Sequence, residues 1–238
     1  MQRGLRMATI TREQIEATLQ SQGAANLSLE GQDMSGLDLS NLDLTGANLR
    51  GANLHRVTLK GSQARQVDLS GANLEQANLS RTNLSGSNFS GAILKEANLS
   101  EAYLLKCSLQ QVDLSGANLT KAKLDEADLT GAALEAVNLD RAFLVRTKLS
   151  QANLRRANLS GANFKNGILS GANLRGANMR AAFLENADLT GADLRGAHLH
   201  EVHLKSAAYD DETRWDEGFD PEGAQAVRHK KKKWFGLI

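Results

Sequence analysis

The chain has 238 residues, 41% of them apolar and 4% aromatic, with a formal net charge of +1 at neutral pH. That supplies one domain with a substantial core, and no apolar run approaches the length of a membrane span. A single cysteine, Cys107, excludes an internal disulfide, and the start from Met1 to Met7 has no apolar stretch of the kind a secretory signal needs, so a cytoplasmic setting is expected.

The first predicted element is a helix. Thr11 and Gln14 stand at capping-box spacing, Ile10 and Ile15 at the spacing of a hydrophobic staple, and Gly23 suits a C-terminal stop. The pattern predicts a helix over 12–22 inside an N-terminal segment 1–26, with Ile15 and Leu19 turned toward the next element as a lid.

From Leu29 to Leu204 an apolar residue returns at every fifth position without insertion or deletion, giving 36 units. At this position, called i, 31 residues are Leu and the exceptions are Met34, Ala64, Phe89, Phe164 and Met179; at i−2, 21 of the 36 are Ala. Strict self-similarity marks a repeat architecture. A period of five fits neither a helix stripe nor a long strand, but it fits a short strand followed by a corner. Side chains then alternate, with i−2 and i inward and i−1 and i+1 outward. Residue i+2 turns the chain, and Gly46, Gly71, Gly116, Gly161 and Gly191 there suit positive φ. Four sides close a square coil of 20 residues, and nine such coils over 27–208 make a filled parallel β-helix about 43 Å long. Cys107 and Thr82, both at i−2, are expected to be small core residues. Ala64 underfills a site that is Leu in most units, which predicts a local void or bulge beside Ser62 and Gln63.

The unit Ala-(Asp/Asn)-Leu-X-X, plain in Ala152 to Lys165 and repeated over about three-quarters of the chain, resembles the consensus of the pentapeptide-repeat family. The resemblance implies an all-β solenoid, specifically a right-handed quadrilateral parallel β-helix. It also implies a role in binding, and a few members of the family inhibit DNA gyrase by imitating DNA.

Beyond the repeats, Tyr209 holds the register once more and the composition changes, so 209–238 is expected to be a C-terminal cap and tail. Trp215 and Phe219 are the expected plug over the last coil. The segment from Tyr209 to Ala226 resembles the Thr-x-x-Pro-x-Gly-Phe-Asp-Pro element that follows the repeats in cyanobacterial members, with Asp216 where that element has Pro. Asp220 and Pro221 predict the start of a short helix. From Arg228 to Ile238 the tail sets Lys230, Lys231, Lys232 and Lys233 beside Trp234 and Phe235. That combination suits an anionic membrane surface, and a solubilising tail or a docking peptide are the alternatives.

Outward residues 20 apart stack in columns. On the face centred on Leu59 and Leu79, Asn78, Asn98, Asn118, Asn138, Asn158 and Asn178 form an unbroken column, expected to be a structural amide ladder. The face centred on Leu54 and Leu74 brings Arg155, Arg175 and Arg195 into register about 4.8 Å apart, where they repel unless an anion or carboxylate intervenes. Glu135 and Asp193 can serve, and an acidic partner or phosphate is the alternative. His198, His200 and His203 form His-x-His-x-x-His, but the third lies past a corner, so surface histidines are expected in place of a zinc site.

The face centred on Leu44, Ala64 and Leu84 departs repeatedly from the pattern. Its i−1 column includes Tyr103, Lys123, Phe143, Asn163 and Phe183, and its i+1 column includes Leu105, Asp125 and Val145. Tyr103 with Leu105 and Phe143 with Val145 are expected to stand outside as two apolar pairs about 9.6 Å apart, close enough for one partner surface to engage both. The bland counterpart is that these rings lie flat over neighbouring coils and only stabilise the rod.

No phosphate-cradling glycine motif, no nucleophile beside a base and no cleft in a filled interior are present, so neither enzyme activity nor a cofactor is expected. The sequence points to a scaffold that binds another protein, with self-association through the aromatic face as one form of it. A nucleic-acid mimic needs a strongly negative rod, whereas Leu27 to Ala208 carries 18 acidic and 19 basic side chains, so no nucleic-acid role is expected. A membrane-peripheral adaptor using the basic tail is the remaining reading.

Overall fold

Position i+2 decides the shape of the rod. In the computed structural model, which describes residues 10–229, every i+2 residue from Gly31 to Ser206 has a positive φ between 52° and 79°. Arg56, Gln66 and Lys106 hold the same left-handed conformation as the glycines, at a cost of about 1–2 kcal/mol each. At the corners other than those after Leu39 and Ala64, the N–H of the following i−2 residue donates to the carbonyl of residue i, as from Ala52 to Leu49 at 3.1 Å and from Val57 to Leu54 at 3.0 Å. A positive φ at the third residue is the sign pattern of a type II turn.

A second bond fixes each corner. Every Asp or Asn at i−1 accepts the backbone N–H of residue i+1 on its side-chain oxygen, at 2.9–3.3 Å. This Asx turn is the physical reason for the Asp/Asn preference at that position. The amide ladder expected on the Asn78 to Asn178 column is therefore first a series of corner bonds. Direct amide links between coils join Asn178 to Asn158 at 3.1 Å and Asn158 to Asn138 at 3.0 Å.

Between corners, each side pairs in parallel with its equivalents one coil away. From Ser28↔Asn48 to Asp188↔Ala208 every bridged pair is 20 residues apart. Residue i donates to one neighbouring coil and residue i−1 to the other, as in Leu49 to Asp68 at 2.8 Å and Asn48 to Leu27 at 2.9 Å. Inside, every residue at i from Leu29 to Leu194 is at most 2% exposed. Polar residues at i−2 satisfy themselves in one way: Ser62, Thr82, Ser87 and Thr147 donate their hydroxyls to the carbonyls of Leu39, Leu59, Ala64 and Leu124. Cys107 does the same to Leu84, and burial pushes its thiol up to about 12, so it stays protonated as a small core group.

The bulge expected at Ala64 does not form. Gln63 bridges both Asp43 and Asn83, and the Ala64 N–H reaches the Asn83 carbonyl at 2.8 Å. The ladder bonds are made by the main chain and carry through a site whose side chain is too small, while the corner after Ala64 closes through a side chain: the Ser87 hydroxyl accepts the Val67 N–H and donates to the Ala64 carbonyl, both at 3.0 Å.

Helix α1, Arg12–Gln22, caps the front of the rod with the expected capping box between Thr11 and Gln14. Ile15 is fully buried against the first coil and Leu19 packs beside it. Arg12 adds a tie that the pattern did not show, donating to the Asp38 and Ser40 carbonyls at 2.8 and 3.4 Å. After a 3-10 turn over Ala24–Asn26 the chain enters the first coil.

At the far end one extra residue enters the coil. Arg214 bridges Asp193, 21 residues back, and the Thr213 hydroxyl donates to the Leu189 carbonyl at 3.0 Å as i−2 hydroxyls do elsewhere. Trp215 thereby takes the place of residue i, stacked on Phe219 at 5.2 Å and edge-on to Tyr209 at 5.6 Å. Asp216 accepts the Gly196 N–H at 2.8 Å. The short helix expected from Asp220 is a set of hydrogen-bonded turns over 221–225. Asp220 does accept the Gly223 N–H at 3.0 Å, but the chain must return at once to pair strand β2 (Val227–Arg228) with β1 (Ala208–Tyr209). Arg228 therefore belongs to the cap, tied to Asp211 at 2.6 Å, and not to the tail. Among the described residues no helix is long and apolar enough to cross a membrane.

Candidate interaction face

Tyr103 and Phe143 stand where the Asx turn would place Asp or Asn, and a ring offers no acceptor to the corner N–H. At Phe143 the loss is made good by Asp125, which accepts the Val145 N–H at 2.9 Å from the coil below. The rings themselves are 40% and 44% exposed, among the most exposed large apolar side chains of the described rod. Lys123 lies between them with its ammonium 4.3 Å from the Tyr103 ring centre, a cation–π contact. Tyr103, Lys123 and Phe143 line an open groove of about 720 Å³ along one corner of the face, edged by Arg81, Lys121 and Arg141.

The expected pairs are looser than the sequence suggested. Leu105 is half-buried and lines a separate hollow with Thr45, Arg65 and Ser85 at the opposite corner of the same face. Val145 is half-buried as well. Phe183 is taken up by its neighbours, with His203 stacked parallel on it at 4.7 Å and the Lys165 ammonium 5.5 Å from its ring centre. On this face the exposed apolar surface thus lies at Tyr103 and Phe143, while Ile93 and Ile168 stand equally exposed but single on other faces, and Phe183 follows the bland counterpart.

The three guanidinium groups are spread among carboxylates. Arg155 pairs with Glu135 at 3.8 Å, Arg175 with Asp193 at 3.7 Å, and Arg195 grips Asp193 at 2.6 Å. The Arg195 hydrogen bonds hold the Asp193 carboxyl below the usual range, against the opposing effect of its partial burial. His198 and His200 project from the end of the Asn face, and His203 lies past the corner on Phe183. Among the described residues no group of three or more His, Cys, Asp or Glu is placed to hold a metal ion. Lys230, Lys231, Lys232, Lys233, Trp234 and Phe235, the suggested membrane or docking tail, lie outside the described residues.

A family model for pentapeptide repeats matches eight copies over residues 25–61, 59–95, 92–131, 127–166 and 168–205, which is nearly the whole rod. The chain belongs to the pentapeptide-repeat family. Its solenoid is accordingly the right-handed quadrilateral β-helix of that family. Among solved structures it is similar to HetL from the cyanobacterium Nostoc sp. strain PCC 7120, a pentapeptide-repeat protein involved in heterocyst differentiation regulation. The two share 32% identity over 83% of this chain and 96% of HetL, with a TM-score of 0.66. It is also similar to alr5209, a pentapeptide-repeat protein from Nostoc PCC 7120, at 36% identity over 43% of this chain and 84% of that one, with a TM-score of 0.42. No curated protein matches the chain.

Proposed function

We propose that this pentapeptide-repeat protein is a non-enzymatic scaffold that binds another protein through the face carrying Tyr103 and Phe143. The observation that carries the reading is the exposure of two aromatic rings, 40% and 44%, on a rod whose outward columns are otherwise mostly polar. Exposed aromatics grouped on a rigid surface favour interfaces, where Tyr and Phe are enriched. The similarity to HetL, a protein described as regulatory, is in keeping with a role exerted by binding. The near balance of 18 acidic and 19 basic side chains from Leu27 to Ala208 speaks for a protein partner over imitation of a phosphate backbone.

The test is the double substitution Tyr103→Ser with Phe143→Ser. It is expected to melt as the parent does and to lose the partners that the parent captures from its native cell. A folded double variant that keeps every partner excludes this face.

A further inference from the structure

The groove beside the rings carries a charge that says what fits it. Four cations, Arg81, Lys121, Lys123 and Arg141, line it with one carboxylate, Glu101, and Asp140 stands beside Arg141, a local balance of +2 on a rod that is near neutral as a whole. Glu101 is bound to Arg81 at 3.1 Å and Arg141 reaches only its neighbour Asp140 at 3.9 Å. Among the described residues neither Lys121 nor Lys123 has a carboxylate within 4.0 Å, and Lys123 turns instead to the Tyr103 ring at 4.3 Å. A second copy of the same patch would meet this excess of positive charge with its own.

We infer that the groove along Tyr103, Lys123 and Phe143 receives an extended acidic segment of another protein, running parallel to the rod axis, with an apolar side chain at every third residue. This rests on the reading of the face as a docking site and adds to it the chemistry of the occupant. The spacing follows from the stack: the rings stand two coils apart, about 9.6 Å. A polyproline-II segment rises about 3.1 Å per residue with three residues per turn, so residues three apart point the same way about 9.3 Å from one another. Apolar residues at that interval rest on both rings while the acidic residues between them meet Lys121, Lys123 and Arg141. Neighbouring acidic charges also keep such a segment extended. A single-stranded nucleic acid fits less well. Glu101 within the groove and Asp140 beside Arg141 interrupt the positive surface that a uniform polyanion requires, whereas a segment of alternating acidic and apolar residues can place its apolar side chains past them.

The experiment measures fluorescence anisotropy of the full chain with four labelled probes: the peptides (Glu-Glu-Phe)4, (Lys-Lys-Phe)4 and (Glu-Glu-Ser)4, and a thymidine 12-mer. Two folded surface variants accompany it, Lys121→Gln/Lys123→Gln and Tyr103→Ser/Phe143→Ser. Binding of (Glu-Glu-Phe)4 is expected, weakened about tenfold or more by either variant and by added salt, with both other peptides bound more weakly. Equal binding of (Lys-Lys-Phe)4, or indifference to Lys121→Gln/Lys123→Gln, overturns the acidic occupant; continued dependence on Tyr103 and Phe143 then leaves the docking reading standing. Indifference to both variants, or no binding of (Glu-Glu-Phe)4, overturns the inference, and indifference to Tyr103→Ser/Phe143→Ser with every probe removes the docking face as well. Tighter, lysine-dependent binding of the thymidine 12-mer overturns it in favour of a nucleic acid.

Discussion

The face over Leu119 and the face over Leu124 share one interior and differ only outside. On the first, Asn78 through Asn178 each accept a corner N–H, and Asn138, Asn158 and Asn178 are joined to one another by amide bonds. On the second, Tyr103, Lys123 and Phe143 give up that acceptor and present rings and an ammonium to solvent. Both faces keep the same parallel register and the same buried column. A rod whose interior and main chain carry the fold leaves its outward positions free to specialise, at a local cost of one corner bond except where, as at Phe143, a carboxylate from the next coil replaces it.

The comparison is broken most severely from within. Leu119 and Leu124 are both fully buried, one beneath each face. Either Leu→Ala change is expected to destabilise by about 2–5 kcal/mol, and by the same amount within error, since the core does not distinguish the faces. Leu119→Asp buries an unpaired carboxylate and is expected to abolish cooperative folding. Chemical denaturation compares the three, and a large difference between the two Ala variants shows that the outer columns support the core after all.

Smaller changes act on the outside alone. Asn158→Ala removes a corner acceptor and both amide links to adjacent coils, an expected loss of about 1–2 kcal/mol. The reverse change on the other face is Tyr103→Asn, which restores an acceptor for the Leu105 N–H. It is expected to stabilise by about 0.5–1 kcal/mol while weakening partner capture, and a destabilised Tyr103→Asn protein that still binds contradicts the division of labour between the faces.

The inward pattern was legible because burial repeats: Leu at i and Ala at i−2 recur whatever the outer side chains do. The corners were legible only in part. Glycine marks fifteen of the i+2 positions, yet Arg56, Lys106 and Glu126 take the same left-handed conformation because the stack imposes it, and no residue type announces that. The Asn column suggested links between coils, whereas its regular contribution is the bond two residues along the same chain, a signal present in the spacing of Asn78 and Ser80. Tyr103 and Phe143 were found because they break the pattern; that Phe183 breaks it equally and is covered by His203 depends on a contact between coils that spacing alone does not reveal. The extra residue before Trp215 hides in a segment that no longer repeats.

Acid sharpens the contrast with the least expected effect. Corners closed by Asn keep a neutral acceptor at every pH, while those closed by Asp depend on ionisation. At Asp128 burial disfavours the carboxylate, but the Thr130 hydroxyl and N–H and the Lys148 ammonium outweigh it and hold the group below the usual carboxylate range. A carboxyl whose folded-state pKa is depressed stabilises the fold above its unfolded value, near 3.9, and loses that contribution as pH falls through the folded-state value. Stability is thus expected to be level in the neutral range and to decline only below about pH 4. Asp128→Asn keeps the corner acceptor and removes the charge, so it is expected to flatten part of that decline. Thermal melting of parent and variant between pH 7 and pH 3 checks it: parallel curves mean that the Asp128 corner contributes nothing to the acid response, and convergence at low pH shows that it does.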